Sequence, residues 1–349
     1  MDTNFDPYTK RVLIAGAIVL GFVLLALILQ HVASVLLLIF ASILLAVFLD
    51  SLTSLLQARI GLARGWCLGL VVLLLGLAFA ASGWFAGPPI NDQINRLGER
   101  IPSAIERIQA TVAQYEWVRS FLLGPSGSGQ GISFSGQAMS FVAGGITNTI
   151  GALASGLVVL IIGLYAAATP SVYIDGAIRL LPPAQRSRGR EVVRALGKAL
   201  RWWLLGRIAS MTIVGALTAM GLWIAGIPLA FVLGLIAALL SFVPYIGPIV
   251  SVVPAALVAL ADSPNKVLYV LVIYWAVQLL ESYLITPLIQ ERAVSLPPAV
   301  LISAQVIIGI LAGAIGVLMA TPLAVVLIVL IQMLYVADTL GDSVPTLGE

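Results

Sequence analysis

Ser241–Val250 reads SFVPYIGPIV and lies between two almost purely apolar stretches. Pro244, Gly247 and Pro248 interrupt what is otherwise a sequence for the membrane interior. Proline has no backbone N–H, and its ring clashes with the preceding helical turn. A bilayer core holds no water to satisfy the groups a proline leaves free, so open backbone at that depth must be enclosed by protein or line a water-filled cavity. The fold therefore turns on what this decapeptide joins. Upstream, Leu229–Phe242 makes about 21 Å of helix, short of the ~30 Å bilayer core. Ile249–Ala261 is equally short, and Asp262–Lys266 closes the unit with a polar turn. Two short helices on a Pro/Gly tip read as a re-entrant hairpin; the alternative is a pair of short tilted spans.

The surroundings are membrane by composition. Of 349 residues, 60% are hydrophobic and only 9% charged, and the mean hydropathy is +1.10. A soluble domain carries about 25% charged residues, so this charge cannot coat one. The net charge of +3 is too small to point to nucleic acid. One cysteine, Cys67, excludes an intrachain disulfide and a cysteine metal cluster; one histidine, His31, excludes a His-pair zinc site. No metal and no cofactor is expected. Asp2–Tyr8 is polar and the first apolar run is long enough to remain as a helix, so no cleaved signal peptide is expected.

A crossing helix needs about 20 apolar residues. Val12–Leu29, Val32–Leu49, Trp66–Ala86, Ile150–Ala168, Leu204–Ala225 and Leu268–Ile285 qualify, with a very short turn at Gln30–His31 between the first two. By this count Lys10 and Arg11, Arg59 and Arg64, and the basic run from Arg179 to Arg201 fall on one side. Excess Lys and Arg marks the cytoplasmic side, so both termini are expected there. The segment 87–148 then lies outside. Its apolar residues recur every three or four positions from Ile90 to Leu122, one stripe on an amphipathic helix. That stripe must bury either on its own chain or in a helix bundle between protomers.

A second interrupted unit follows the span at Leu268–Ile285. Thr286–Pro298 is a polar, proline-flanked loop with Glu291 and Arg292. Ala299–Met319 contains Gly309, Gly313 and Gly316, Ala320–Pro322 breaks the run, and Leu323–Val336 is short again. The order is span, broken hairpin, span, broken hairpin, with the two spans opposed in direction. Corresponding interrupted segments in two halves are the arrangement of an inverted-repeat transporter. The expected fold is an all-α polytopic membrane protein with about six full spans, two broken re-entrant hairpins and an extracytoplasmic amphipathic helical insert. Its expected divisions are N-terminal transmembrane helices (1–86), the insert (87–148), a fourth transmembrane helix with a basic cytoplasmic loop (149–203), a transport core (204–337) and a cytoplasmic tail (338–349).

In transporters of this design, carbonyls and helix ends at the tips meet the substrate or coupling ion. The candidate pathway residues are Pro244, Tyr245, Gly247 and Pro248 at the first tip; Gln278, Glu281, Thr286 and Pro287 at the end of the intervening span; and Gln305, Gly313, Gly316 and Pro322 in the second unit. Gln278, Glu281 and Ser282 share one face at ideal helical spacing. An acid inside an apolar span is a functional hypothesis by default. Glu281 is then either a proton carrier or a structural acid near the cytoplasmic end, paired with Arg292 or capping loop amides. Gln305 can hydrogen-bond between helices with no transport role, and Gly309–Gly313 is a GxxxG that more often means close packing. Trp202–Trp203 with Arg201 and Arg207 reads as an interfacial belt.

These motifs also carry a resemblance. LLGR at Leu204–Arg207, FVPYIGP at Phe242–Pro248, QLLESYLITPLI at Gln278–Ile289, VSLPP at Val294–Pro298 and GILAGAIGVLMATPLAV at Gly309–Val325 resemble the AI-2E family of bacterial membrane proteins. The second half matches in motifs and the first half in layout. The resemblance implies a transporter of the inner membrane that exports autoinducer-2, a quorum-sensing molecule; some members look like sodium- or lithium–proton antiporters instead. It also implies a homo-oligomer, with a pentamer among the forms. The family pattern often has glutamine where this chain has Arg207, and Glu-Asn where it has Glu281–Ser282. These departures bear on the substrate rather than the fold. No GxxxxGK[ST] P-loop occurs, so energy would come from an ion gradient or the solute's own gradient. An intramembrane enzyme would need a nucleophile–base or two-acid constellation at depth, and His31 is far from any candidate nucleophile. A scaffold built on the external helix would leave the broken hairpins without a purpose.

Overall fold

The computed structural model describes residues 7–78, 149–285 and 297–342, with single positions at 80, 81, 84, 92, 96 and 287. No strand occurs among the described residues. The elements are α1 (Pro7–Ile60), α2 (Arg64–Ala78), α3 (Thr149–Ala168), α4 (Pro170–Arg179), α5 (Arg186–Ile224), α6 (Ala230–Leu240), α7 (Ile246–Asp262), α8 (Pro264–Leu280) and α9 (Pro298–Leu330). A 3-10 turn, Pro183–Gln185, precedes α5. α8 continues as a π-helical turn over Glu281–Ile285, and α9 as a π-helix over Ile331–Leu340.

Among the described residues, four stretches are long and apolar enough to cross a membrane: Val32–Ile60, Pro183–Ile224, Pro264–Ile285 and Pro298–Leu340. A fifth is counted if α3 and α4, bent by 86°, form one span. The bend falls at Thr169–Pro170, where the proline takes the first helical position of α4. The expected turn at Gln30–His31 does not occur. α1 runs helical through both residues, because neither is a helix breaker and no proline stands between Val12 and Leu49. At ~1.5 Å per residue α1 is about 81 Å long, so Lys10 and Arg11 cannot share an end with Arg59. The other basic segments do share one end. Arg64 binds Asp50 and donates to the Ala167 carbonyl at 3.2 Å, and Arg201 donates to Ser51 O at 3.5 Å. Arg188 pairs with Asp338 at 2.8 Å, which brings the end of the C-terminal helix to the same side.

α5 is the hub. It packs against α1, α4, α6, α8 and α9. One apolar core, around Leu44, Trp203, Leu204, Val325 and Val329, joins α1, α5 and α9 near the basic end. Another, around Leu222, Leu233, Ala255, Val258 and Val270, joins the far end of α5 to α6, α7 and α8. A smaller cluster holds α2 and α3 to α1.

The second hairpin turns where the sequence did not place it. Ala320–Pro322 stays helical; the backbone breaks at Gly313, with φ 63° and ψ −147°. A Cβ on Gly316 would stand 2.2 Å from the Ile308 carbonyl oxygen, and one on Gly309 2.7 Å from Val317 Cγ2. Residues eight apart in one continuous helix would be about 12 Å apart, so these contacts mean that the chain folds back on itself across residue 313. Gly316 supplies the close approach and Gly313 the conformation. Of the expected insert, only Asp92 and Arg96 are described, as a helical i,i+4 ion pair of 2.9 Å; its apolar stripe lies outside the described residues.

Candidate functional site

Arg207 lies on α5 about 25 Å of helix before Ile224. α6 returns from that far end for 11 residues, about 16 Å, and the turn that follows it is what the Arg207 side chain reaches. There the chain turns through Ser241–Tyr245 and re-enters helix at Ile246. Tyr245 has φ 64° and ψ −54°, and Ile246 N donates to the Pro244 carbonyl at 2.8 Å. This is the strained form of the γ-turn, unusual for a residue with a side chain. Gly247 follows because nothing larger fits: a Cβ would stand 1.9 Å from the Leu240 carbonyl oxygen.

The turn leaves carbonyls without helical partners, and side chains from other elements take them. Arg207 Nε donates to Phe242 O at 3.3 Å. Gln305 Nε2, from the first limb of α9, donates to Pro244 O at 3.1 Å. The Phe242 ring packs edge-on against Trp203, with centroids 5.9 Å apart. The tip is thus held by α5 on one side and by the second hairpin on the other.

Glu281 closes the site. α8 runs from the far end toward the basic end and widens to π geometry at Glu281, where the extra residue per turn re-aims side chains. Glu281 Oε1 receives Arg207 Nη1 at 3.3 Å and Ser210 Oγ at 3.1 Å. The two charged side chains are only 10% and 7% exposed. A buried ion of one sign is tolerated only when paired and hydrogen-bonded, and here each supplies the other. Several polar atoms remain without a partner: Arg207 Nη2, Glu281 Oε2, Gln305 Oε1 and Thr321 Oγ1 are all buried and unbonded. Buried polar atoms are rarely left so, and such a cluster offers donors and acceptors to a guest.

The expected residues fall into three groups. Pro244, Glu281 and Gln305 belong to this hydrogen-bonded cluster, and Tyr245 and Gly247 shape its tip; Gly247 is buried and Tyr245 is 43% exposed. Pro248 lies in the first turn of α7, where its carbonyl accepts Ser251 Oγ. Gly313 and Gly316 form the second turn, and Pro322 is buried inside the returning limb. Gln278 donates to the exposed Ser282 at 3.4 Å rather than into the cluster, so these two share a face, while the neighbouring Glu281 is buried. Pro287 is exposed, and Thr286 and Arg292 lie outside the described residues.

Arg207 is buried within the protein as the partner of Glu281, and with Ser210 it is what reading the sequence passed over. A signal was present: Leu204–Ala225 contains one charged residue, Arg207, and Leu268–Ile285 contains one, Glu281. Single opposite charges in two apolar spans argue for pairing, since each alone is costly in the membrane.

Comparison with known proteins follows the same lines. The family model for AI-2E family transporters matches residues 14–335. A Bacillus subtilis protein named "Putative transport protein YueF" is 27% identical over 264 residues, covering 72% of this chain and 71% of its own length. YrrI of the same organism, under the same designation, is 32% identical over 148 residues, 42% of each chain. A Thermotoga maritima protein, again so designated, is 24% identical over 74% of this chain and 77% of its own. With the match running through α1 to the C-terminal π-helix, the chain belongs to the AI-2E family of membrane transporters.

Proposed function

We propose that this protein is a secondary transporter that exports a small polar solute by alternating access, with the solute held between the Phe242–Gly247 tip, Glu281 on α8 and Gln305 on α9. One observation carries this reading. A strained turn held between α5 and α9 presents two carbonyls, and the side chains that hold them leave further buried donors and acceptors unsatisfied. Strain of this kind persists where the surrounding structure holds it in place, and it clusters at ligand sites and switches. The membrane is the bacterial inner membrane, with the end that carries Arg64, Arg188 and Arg201 in the cytoplasm. The first hairpin then enters from outside and the second from the cytoplasm. Gly313 and Gly316, at the turn of the second hairpin, then lie beyond Gln305 as seen from the cytoplasmic end. Export by a homo-oligomer assembled on the 87–148 insert completes the proposal.

Family membership makes autoinducer-2 the first solute to test. Full-length protein in liposomes, with imposed proton, sodium and autoinducer-2 gradients, decides the matter. Solute efflux that Pro244→Ala or Gly247→Val reduces far more than expression supports export. Sodium–proton exchange without solute movement replaces it with the antiporter reading, and no flux of any kind removes both.

A further inference from the structure

We infer that Arg207 is a built-in counter-cation: its guanidinium occupies the place beside the Glu281 and Ser210 oxygens where a coupling sodium ion or proton would otherwise neutralise Glu281, so transport by this chain needs no cation there. For its functional consequence this rests on the transport reading above; its physical core does not. The oxygens around the guanidinium are of the kind that bind a hard monovalent cation. Glu281 Oε1 lies 3.3 Å from Nη1, and the carbonyl oxygen of Phe242 lies 3.3 Å from Nε. Ser210 Oγ is hydrogen-bonded to the same carboxylate oxygen at 3.1 Å. The carboxylate, with the hydroxyl bonded to it, meets the guanidinium at Nη1, and the carbonyl freed by the broken helix meets it at Nε, so oxygens from α8, α5 and the tip flank a positive group already in place.

Charge decides what else can enter. The pair sums to zero, and among the described residues neither Arg207 nor Glu281 makes another ion pair. An arginine stays protonated throughout the physiological range, so this positive charge is permanent. A sodium ion beside Glu281 would sit within a few ångströms of it in a poorly screened site, where like charges repel strongly. The guanidinium is also tied to the tip carbonyl, so it cannot swing aside without releasing the first hairpin. The unbonded Arg207 Nη2 and Glu281 Oε2 remain to meet a solute that carries both a donor and an acceptor.

The test reads cation binding directly and needs no solute. Thermal unfolding of the full-length protein in nanodiscs is followed with sodium, lithium or choline chloride at constant ionic strength. The wild-type midpoint is expected to be the same in all three. Arg207→Gln exposes the oxygen site, and its midpoint is expected to climb with sodium or lithium, by about 5 °C at a hundredfold excess over Kd. Arg207→Gln/Glu281→Gln should fold and lose that response. If Arg207→Gln is recovered only from cells and buffers rich in sodium, that recovery is itself the expected result. A wild-type midpoint that rises with sodium and stops doing so in Glu281→Gln overturns the inference. So does an Arg207→Gln protein that is indifferent to cations, or that fails equally in sodium and choline. Liposome flux separates the two levels: solute export that persists without sodium or proton gradients fits both proposals, whereas absence of export with the stability pattern intact rejects only the transport reading.

Discussion

The first hairpin turns at a γ-turn over Pro244–Ile246, with a side-chain-bearing residue held at φ 64°; the second turns at Gly313, where φ is 63° and no side chain is asked to follow. The first tip is pinned from outside itself, by Arg207 on Phe242 O and by Gln305 on Pro244 O. The second is closed by its own limbs, through the contact of Gly316 with Ile308. Proline does not mark both turns. Pro254 and Pro322 sit inside helices that continue through them. The difference teaches that an externally pinned turn can hold strain and respond to what touches its pins, while a self-closed turn is part of the scaffold.

Breaking the pins should do the most. Glu281→Ala leaves Arg207 buried without its partner, and losing one member of a buried pair costs about 3–5 kcal/mol. The thermal midpoint should fall by many degrees, and Arg207→Met in the same chain should recover much of it. A Glu281→Ala protein of normal stability would show that the pair does not anchor the first tip.

Next come the two glycines. Gly247→Val places a side chain against the Leu240 carbonyl, a backbone group that cannot yield without parting the limbs. Overpacking costs about 1–3 kcal/mol and more where backbone must move. Gly313→Ala meets nothing within 4 Å, so its cost is conformational alone, roughly 1–3 kcal/mol. Unfolding should therefore rank Gly247→Val below Gly313→Ala, and only the former should abolish flux. The reverse order would make the second tip the functional one.

Gln305→Leu removes one pin and keeps the volume. Pro244 O retains its bond from Ile246 N, so the stability loss should be about 1 kcal/mol. Flux should fall by more than that loss explains if the tip must be held to work. The smallest effect is expected of Pro322→Ala. Lost packing of the ring is offset by a regained helical N–H, leaving stability within about 1 kcal/mol of wild type. A large loss of flux there would restore Ala320–Pro322 as a working hinge.

The sequence alone determined the membrane setting, the all-helical class, the first hairpin and its tip, and Glu281 as a lone acid in an apolar span, because hydropathy, span length and proline chemistry act locally along the chain. It placed the second break at Ala320–Pro322, since a proline is visible in a sequence while a glycine's φ is not. It divided α1 at Gln30–His31 on polarity alone, though neither residue obstructs a helix. It left Arg207 in an interfacial belt and sought the partner of Glu281 in Arg292, eleven residues along the chain. Only the tertiary structure brought Arg207 to Glu281, across 74 positions. Pairing of that kind depends on which faces of α5 and α8 meet and on the π turn that re-aims the carboxylate. Those are set by packing around two apolar cores, which no local pattern encodes.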